Sequence, residues 1–542
     1  MAIVTVNARN TITIIFIVSC SFLHSQQWEW ARTDTSSFSQ KALEIEGDSW
    51  GNILVTAQNY NGAFASHDQT ISYQMLKYDS LGNLIWRHSF PWHPHNLSLD
   101  AANNIYCGSS FRDSIEVGSI KLVSKGQLDF FVVKLNSTGT IVWVKQFGNC
   151  GNDILRDLKV NKEGQIFVTG LFDKEESFCD SLVFDTITLH APLGGGMFIS
   201  QLNSDGTVQW ANMGRQNAVL QEFHLQGNLL ALDAEGKIYV LGEGTYCGEK
   251  CSQRFVAGFD TIGDITFLRT DEYFRYSYAY DFLALNNKTF IFLGDDHPRW
   301  TSDNGAFVTL CDSSLNPKWA TQVRTYKVSQ PDYWCDFANG LRISYAGDLY
   351  LAGHYGKQSE TAPTISIYDY NLPKRGGETD IGIMHIPIKK NGSWLMSAGG
   401  VGTEFAQDLY VSSSGASYLI GEYFSNEPAH HISFGNDSFP YQVSPMLFVA
   451  KLNQPHATVD MPSLASPKLS IWPNPSDGIM QVNGIKGKYT YKVYGTTGAV
   501  LCAGSEENTA QGRLNIQQLG PGVYNLQIET RERMVQARIV LR

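Results

Sequence analysis

A short phrase, a turn followed by an apolar run that ends in a small residue, recurs seven times between Gly51 and Gly421. The copies are GNILVTA from Gly51, NNIYCG from Asn103, GQIFVTG from Gly164, GKIYVLG from Gly236, KTFIFLG from Lys288, GDLYLAG from Gly347 and GASYLIG from Gly415. The period of about 50 to 70 residues is typical of propeller blades or repeat arrays. The repeat therefore predicts an all-β chain built from similar units.

Each phrase is flanked by further strand patterns. Upstream lies a segment with a period of two that ends in a polar turn residue, such as LSLD at Asp100 or LALD at Asp233. Downstream lies a hairpin whose turn opens with Asn or Asp and whose last strand carries an aromatic residue, as in VKLNSTGTIVW at Trp143. Four strands per phrase predict a seven-bladed β-propeller.

The seventh hairpin is incomplete, because VAKLN ends at Asn453 and a polar segment follows it. A closed ring must pair every sheet edge. The segment WEWAR carries two tryptophans at strand spacing, so we expect Trp28 and Trp30 to supply the outer strand of the last blade. A loose aromatic arm is the alternative interpretation.

The N-terminus has the pattern of a targeting segment: Arg9, an apolar run from Ile12 to Val18, and small residues through Ser25. It is too short to span a membrane. It predicts a signal peptide over residues 1–25. Alternatively, the stretch ending at Cys20 resembles a bacterial lipoprotein box, which would make Cys20 a lipidated first residue. No other stretch predicts a transmembrane segment.

Eight cysteines remain without Cys20, and an exported chain meets an oxidising compartment where disulfides form. Cys247 and Cys251 share one loop and are the first candidate pair, and Cys150 and Cys179 are the second. Cys107 and Cys311 replace apolar residues in strand patterns, so we expect both to be buried.

Composition excludes some functions and leaves others open. The formal net charge is -11, which argues against binding nucleic acid or an anionic membrane surface. The histidines of the WHPH segment from Trp92 to His95, and the pair His430 and His431, lack carboxylates at metal-ligand spacing, so exposed loop histidines are the simpler interpretation. We predict no metal and no cofactor.

The last part of the chain follows a polar, proline-containing linker over residues 454–466. It holds a short strand and then a turn, LSIWPNPSDG, two strands around the Gly498 turn, the segment LGPGVYNLQIET, and a basic last residue, Arg542. The residues that characterise this tail are Pro473, Asn474, Pro475, Gly478, Gly520, Pro521, Gly522 and Tyr524.

In this order and spacing, residues 467–542 resemble the type A C-terminal sorting domain of the type IX secretion system of Bacteroidetes. The resemblance implies a small immunoglobulin-like β-sandwich, contact with the secretion machinery, transit through the periplasm, and a protein that is secreted or displayed on the cell surface. The preceding repeats, residues 26–453, resemble bacterial propeller repeats with a GNIYVTG hallmark.

A propeller is a scaffold that hosts unrelated functions. We expect a non-catalytic protein that binds a glycan or a protein through one face of the ring, where aromatic loops such as residues 271–280 would lie. The alternative is a hydrolase or lyase that acts on extracellular polysaccharides. Its carboxylates would have to converge on the channel from different blades.

Overall fold

The computed structural model describes most of the chain and contains strands, turns and bends. The described residues are 3–6, 12–15, 27–34, 39–61, 70–173, 181–190, 195–213, 223–246, 252–271, 278–286, 289–296, 305–323, 341–343, 348–356, 364–367, 370–373, 379–386, 394–425, 430–453, 470–472, 476–483, 487–495, 500–508, 512–529 and 534–542. Among them no helix occurs, and a search of the same residues finds no helix suited to crossing a membrane. The described chain is therefore all-β.

The strands, in chain order, have the following bounds: β1 Ile3–Val6, β2 Ile12–Ile15, β3 Gln27–Thr33, β4 Ser39–Gly47, β5 Ile53–Asn61, β6 Thr70–Tyr78, β7 Leu84–Phe90, β8 His95–Leu99, β9 Ile105–Val117, β10 Ile120–Leu135, β11 Ile141–Phe147, β12 Asn152–Val160, β13 Ile166–Asp173, β14 Ser181–Phe184, β15 Ile187–His190, β16 Gly195–Leu202, β17 Val208–Asn212, β18 Phe223–Leu232, β19 Ile238–Tyr246, β20 Ser252–Phe259, β21 Ile265–Asp271, β22 Tyr278–Asn286, β23 Thr289–Asp296, β24 Gly305–Asp312, β25 Pro317–Val323, β26 Leu341–Ile343, β27 Leu349–Gly356, β28 Thr364–Ile367, β29 Tyr370–Pro373, β30 Thr379–Ile386, β31 Trp394–Ala398, β32 Thr403–Val411, β33 Ser417–Phe424, β34 His431–Phe434, β35 Asp437–Pro440, β36 Met446–Asn453, β37 Ser470–Trp472, β38 Ile479–Asn483, β39 Gly487–Tyr494, β40 Val500–Asn508, β41 Gly512–Asn515, β42 Gly522–Glu529 and β43 Met534–Leu541.

Antiparallel pairing groups β3 to β36 into consecutive four-stranded units. In the described chain the units, from first to seventh, are β4-β5-β6-β7, β8-β9-β10-β11, β12-β13-β16-β17, β18-β19-β20-β21, β22-β23-β24-β25, β26-β27-β30-β31 and β32-β33-β36-β3. Each unit has two ends. The turn end carries the short turns from first to second and from third to fourth strand, and the loop end carries the other connections.

The last strand of the seventh unit comes from the other end of the repeat region. β3 pairs antiparallel with β36, from Gln27 opposite Asn453 to Thr33 opposite Phe448. Trp28 and Trp30 on this strand are buried, with 8% and 5% of their surface exposed. Residues near the start of the chain therefore occupy the outer position of a sheet formed by residues near 450.

The turn ends are built from repeated aspartate or asparagine turns. The Asp48 carboxylate accepts the amides of Trp50 and Asn52 at 2.9 and 2.8 Å, and Gly51 adopts a φ of 82°. Asp79 repeats these contacts with Leu81 and Asn83. A carboxylate or amide oxygen at the first turn position and a left-handed residue at the fourth explain why the sequence phrase recurs.

Tryptophans on the outer strands join consecutive units at this end. The Trp30 indole donates to the Ser80 carbonyl at 3.1 Å, and Trp210 donates to the Thr261 carbonyl at 2.9 Å. Trp86 and Trp143 donate in the same way to the turns of the second and third units. We call these the Trp–turn contacts. β3 therefore makes the same contact with the first unit that the other outer strands make with their neighbours.

The turn glycine under the tryptophan is needed for close approach in two of the Trp–turn contacts. A Cβ added at Gly82 would lie 2.8 Å from the Trp30 ring, and one at Gly263 would lie 2.5 Å from Trp210. In the fifth unit the left-handed turn position is Leu315, with a φ of 62°, and the preceding outer strand carries Phe267. Glycine is thus replaced where the tryptophan is replaced.

Three hairpins that the sequence analysis did not predict are inserted at the loop end, between second and third strands. They are β14–β15, β28–β29 and β34–β35. Phe184 of the first hairpin packs against Phe130 and Phe147 of the preceding unit, and Phe434 of the third meets Trp28 edge to face at 5.2 Å. The first hairpin therefore contributes apolar contacts at a unit junction, and the third packs against the closing strand of its own unit.

The C-terminal residues form two antiparallel sheets, β37-β38-β41 and β40-β39-β42-β43. One core lies between them and includes Met480, Leu514, Val493 and Leu526. The Ser476 amide donates to the Val540 carbonyl at 2.9 Å, and the Arg542 amide donates to the Ser476 carbonyl at 3.1 Å. The last residues of the chain are thus tied to the beginning of this region.

Candidate functional site

A cavity of about 240 Å³ lies where the first strands of six units converge. The first strands are bulged at this level, for example between Ala42 and Ile45 and between Ala406 and Asp408. Five carboxylates are among its lining residues: Glu44, Glu46, Asp157, Asp281 and Asp408. A bulge turns a side chain out of the ladder, which explains why acidic groups reach the cavity from different units.

Three of these carboxylates bind main-chain amides of the next unit. Asp408 accepts the Ile45 amide at 3.0 Å, Asp157 accepts the Leu230 amide at 2.7 Å, and Glu44 accepts the Asn96 amide at 2.9 Å. Asp281 accepts the amide of its neighbour Phe282. These acids satisfy amides that the bulges release from the ladder, so they hold consecutive first strands together.

A cluster of aromatic and titratable side chains lies at the loop end of the first two units. The Tyr73 and His93 rings stack at 4.9 Å with an interplanar angle of 18°, and His95 meets His93 edge to face at 4.9 Å. His95 Nδ1 lies 3.6 Å from Glu44 Oε1. His93 is half-buried rather than an exposed loop histidine, so that sequence interpretation is wrong for this residue.

The surroundings of His93 favour its neutral form. Burial lowers the pKa of His93 to about 4, and the His95 and Lys41 charges act in the same direction. Burial and then the neighbouring Tyr60 raise the pKa of Tyr73. At neutral pH the pair is an uncharged imidazole beside a protonated phenol, which can accept and donate a proton respectively.

Glu422 lies nearby on β33 of the seventh unit. Burial raises the pKa of Glu422 to about 7, against the opposing effects of Lys41 and of hydrogen bonds from Gln407 and the Ala42 amide. Gln407 donates to Glu422 Oε1 at 3.4 Å. The proximity of Glu422 adds to burial in raising the pKa of Tyr60. This carboxyl group can therefore exchange a proton near neutral pH.

Two further acid pairs are buried at equivalent unit junctions. Asp129 lies on β10 and Asp153 ends the loop GNCGND, while Asp380 lies on β30 and Glu404 ends the loop GGVGTE. All four are at most 2% exposed. Burial raises the pKa of Asp153 to about 7, and the Asp129 and Asp173 charges add to this. The repeated G-x-x-G-x-(D/E) pattern is a sequence signal that the repeat analysis missed.

At the turn end a second cavity, of about 620 Å³, opens between the turns of the first, second, third and seventh units. At its edge Asp48 and Lys77 form an ion pair of 2.8 Å with 0% and 2% of their side chains exposed. The Lys77 ammonium lies 5.3 Å from the centroid of the Trp50 ring. Trp50, Tyr410 and Ser412 to Ser414 line the cavity.

The predicted cysteines are placed in part. Cys150 is disulfide-bonded, and Cys107 and Cys311 are buried thiols. Cys179, Cys247 and Cys251 lie outside the described residues, so the Cys150–Cys179 and Cys247–Cys251 pairs stay predictions. Among the described residues no group of three or more histidine, cysteine or acidic side chains could hold a metal ion.

The predicted tail motif is also placed in part, since Pro473, Asn474 and Pro475 lie outside the described residues. Gly478 adopts a φ of 89°, and a Cβ there would lie 2.7 Å from the Gln517 backbone. The Tyr524 hydroxyl donates to the Gly520 carbonyl at 2.7 Å and so closes the turn that contains Pro521 and Gly522. These residues fix the corners of the two-sheet region.

Residues 470–542 match the family model described as the secretion system C-terminal sorting domain. The tail is a type IX sorting domain. It implies interaction with the type IX secretion machinery and a protein that is secreted or exposed at the cell surface. No curated protein matches the chain.

Several solved structures are similar to this chain at low identity. The β-propeller domain of the trilobed protease from Pyrococcus furiosus has a TM-score of 0.37 and 8% identity, over 75% of this chain and 97% of that one. The polysaccharide lyase Uly1 has a TM-score of 0.28 and 10% identity, over 86% and 90%. An ulvan lyase has 0.30 and 11%, over 65% and 77%. These scores are too low to indicate an activity.

Proposed function

We propose that this chain is a secreted or cell-surface seven-bladed β-propeller that binds a glycan or a protein without catalysis. A signal peptide over residues 1–25 starts export, and an immunoglobulin-like sandwich over residues 467–542 takes the protein from the periplasm through the outer membrane. The ring would span residues 26–453, with residues 454–466 as the linker.

The strand pairing supports the seven-bladed ring. The four-stranded units follow one another in the chain, six of their first strands surround the 240 Å³ cavity, and β3 completes the last unit. The Trp30 contact with the first unit resembles the Trp–turn contacts between the other units. This arrangement is expected of a propeller closed by an N-terminal strand.

The hydrogen bonds of the carboxylates around the central cavity support a binding function rather than a hydrolytic one. A polysaccharide hydrolase needs two carboxyl groups that are available to the scissile bond. Glu44, Asp157 and Asp408 instead accept amides that connect consecutive units. These three carboxylates therefore have a structural role at the centre of the ring. This role favours a binding scaffold over a hydrolase.

A screen of the full exported chain against immobilised glycans and surface proteins tests this function. We expect saturable binding to at least one ligand without any change in the ligand's size. Turnover of a glycan during the incubation, or a lack of binding to all ligands, would contradict the proposal.

Export has its own test. Deleting residues 467–542 should leave the protein inside the cell envelope, and fusing them to a neutral exported reporter should carry it to the surface or medium of a host with type IX secretion. The matched control replaces the tail with an unrelated small β-sandwich. Normal secretion of the truncated chain would contradict the assignment.

The cluster at the loop end favours one second candidate, an enzyme that transfers protons on an extracellular polysaccharide. Neutral His93 stacked on protonated Tyr73 provides a base beside an acid, and Glu422 titrates near neutrality. Such an enzyme would cleave polygalacturonate or alginate to unsaturated products, and His93→Ala would abolish that cleavage with unchanged thermal stability. Absence of new chain ends after prolonged incubation would exclude it for these polymers.

A further inference from the structure

Trp50 stands at a turn position where the fold does not require an aromatic side chain. It is the third residue of the turn that begins at Asp48. The third residues of the corresponding turns in the second, third, fourth and seventh units are Ala102, Glu163, Glu235 and Ser414, and all four are exposed. These turns form the same hydrogen bonds with small or charged residues, so the tryptophan serves some purpose other than turn formation.

The position of Trp50 suggests that purpose. Its side chain lines the 620 Å³ cavity at the turn end, a volume within the range of small-molecule sites. Tyr410 lines the same cavity and packs over the backbone of Gly47, where an added Cβ would meet its ring. The cavity therefore has aromatic walls contributed by the first and seventh units.

Polar groups complete the lining. Ser413 and Ser414 are exposed on the seventh unit, and the Ser412 and Ser414 hydroxyls lie 2.8 Å apart. Lys162 is exposed on the third unit. Hydroxyl and ammonium groups opposite an aromatic wall can bind the hydroxyl groups of a ligand that also has an apolar face.

The fixed charges at this end are balanced. Asp48 pairs with Lys77 at 2.8 Å, Lys451 pairs with Glu29 at 2.9 Å, and the other two charged lining residues, Asp100 and Lys162, have opposite signs. A strongly charged ligand would meet no matching excess of charge there. The C–H face of a sugar ring, by contrast, is apolar and packs well on the negative face of an indole.

We propose that the turn-end cavity is a saccharide site that holds one or two neutral sugar rings, with Trp50 as the stacking platform. This inference rests on the proposed binding function and names its site and ligand class. It places the ligand on the short turns rather than on the loop end, where the sequence analysis expected aromatic residues to bind.

Titration calorimetry of the full chain with cellohexaose, xylohexaose, mannohexaose and maltohexaose tests the site, with polygalacturonate as the charged probe. We expect at least one neutral probe to bind. Trp50→Ala should weaken that binding by about tenfold or more, as expected for a central aromatic contact, and Trp50→Tyr should restore most of it. Leu81→Ala is the matched control, because Leu81 is the third residue of the outer turn of the same unit and is 64% exposed.

A second variant tests the same site if the Trp50→Ala protein fails to fold. Ser413→Arg fills the cavity from the seventh unit at an exposed turn, and it should also remove binding. Wild-type affinity in a folded Trp50→Ala variant, or binding of polygalacturonate alone, overturns the site. Binding that survives Trp50→Ala but is lost in Tyr73→Ala overturns the site and leaves the binding function intact, whereas a wild-type chain that binds no glycan and no surface protein overturns both.

Discussion

The turn end and the loop end of the units are stabilised by different kinds of contact. At the turn end, short turns and Trp–turn contacts repeat from unit to unit, and the buried charges of Asp48 and Lys77 pair with each other. At the loop end lie buried or half-buried acids and a histidine whose pKa values are displaced. The difference indicates that the turn end stabilises the units by repetition, while the loop end holds groups that are costly to bury without a charged partner.

The largest expected effect concerns the Trp–turn contact of the closing strand. Trp30→Ala removes a buried aromatic ring and its hydrogen bond to Ser80, so we expect a loss of about 3 to 5 kcal/mol in the free energy of unfolding. Urea denaturation of the full chain measures it. Leu81→Ala, which removes an exposed side chain from the same turn, should change stability by less than about 0.5 kcal/mol. Equal effects of the two variants would show that β3 is a loose arm.

The glycine under a Trp–turn contact should matter more than a glycine in an open turn. Gly263→Ala places a Cβ about 2.5 Å from Trp210, and Gly236→Ala places one in open space, although both residues have a positive φ. We expect a cost of about 2 to 4 kcal/mol for the first, from overpacking and backbone strain, and about 1 kcal/mol for the second. Identical melting temperatures for the two variants would contradict the explanation that close approach of the tryptophan ring selects glycine at this turn position.

The buried acids of the loop end should make the stability of the protein depend on pH. The folded-state pKa of Asp153 is raised to about 7, above that of an exposed aspartate, so its contribution to stability is present below pH 4 and is lost as the pH rises through 7. At pH 8.5 the free energy of unfolding of Asp153→Asn should therefore exceed that of the wild type by on the order of 2 kcal/mol, with a higher melting temperature. At pH 4 the variant should lose this advantage.

Asp34 gives the contrasting control for that measurement. Hydrogen bonds from Gln40 and Gln74 and the Arg87 charge outweigh its burial and lower the pKa of Asp34. The contribution of Asp34 to the stability of the fold is present above the pKa of about 4 that it has in the unfolded chain. It is lost as the pH falls through the lower pKa that it has in the folded protein. Asp34→Asn should thus destabilise the protein at pH 8.5. A pH profile for Asp153→Asn that is parallel to the wild type would contradict the assignment of buried charge to the loop end.

The turn end could be predicted largely from the sequence, because each of its features is local. An Asp or Asn oxygen caps amides two and four residues later, and a left-handed position selects glycine, so the phrase around Gly164 or Gly236 specifies its own turn. The position of Trp28 and Trp30 has a sequence signal of its own, since one hairpin pattern lacks a strand.

The loop end could not be predicted, because its features depend on residues far apart in the chain. Glu422 meets the Ala42 amide at the junction of the seventh and first units, and the Asp129 and Asp153 environment depends on the hairpin that contains Phe184. The hairpin β34–β35 has the alternation of a strand pair but lies outside the repeated phrase. Trp50 precedes the first phrase, GNILVTA, so the repeat pattern does not single it out.

The pairing of β3 with β36 also sets an order of events during synthesis. The chain is made from its N-terminus at about 5 to 20 residues per second, and roughly 400 residues separate the two strands. β3 therefore waits tens of seconds for its partner, with its tryptophans uncovered. Any factor that holds the new chain during that interval would find its target at Trp28 and Trp30, and would be displaced only when Asn453 arrives and the last sheet is complete.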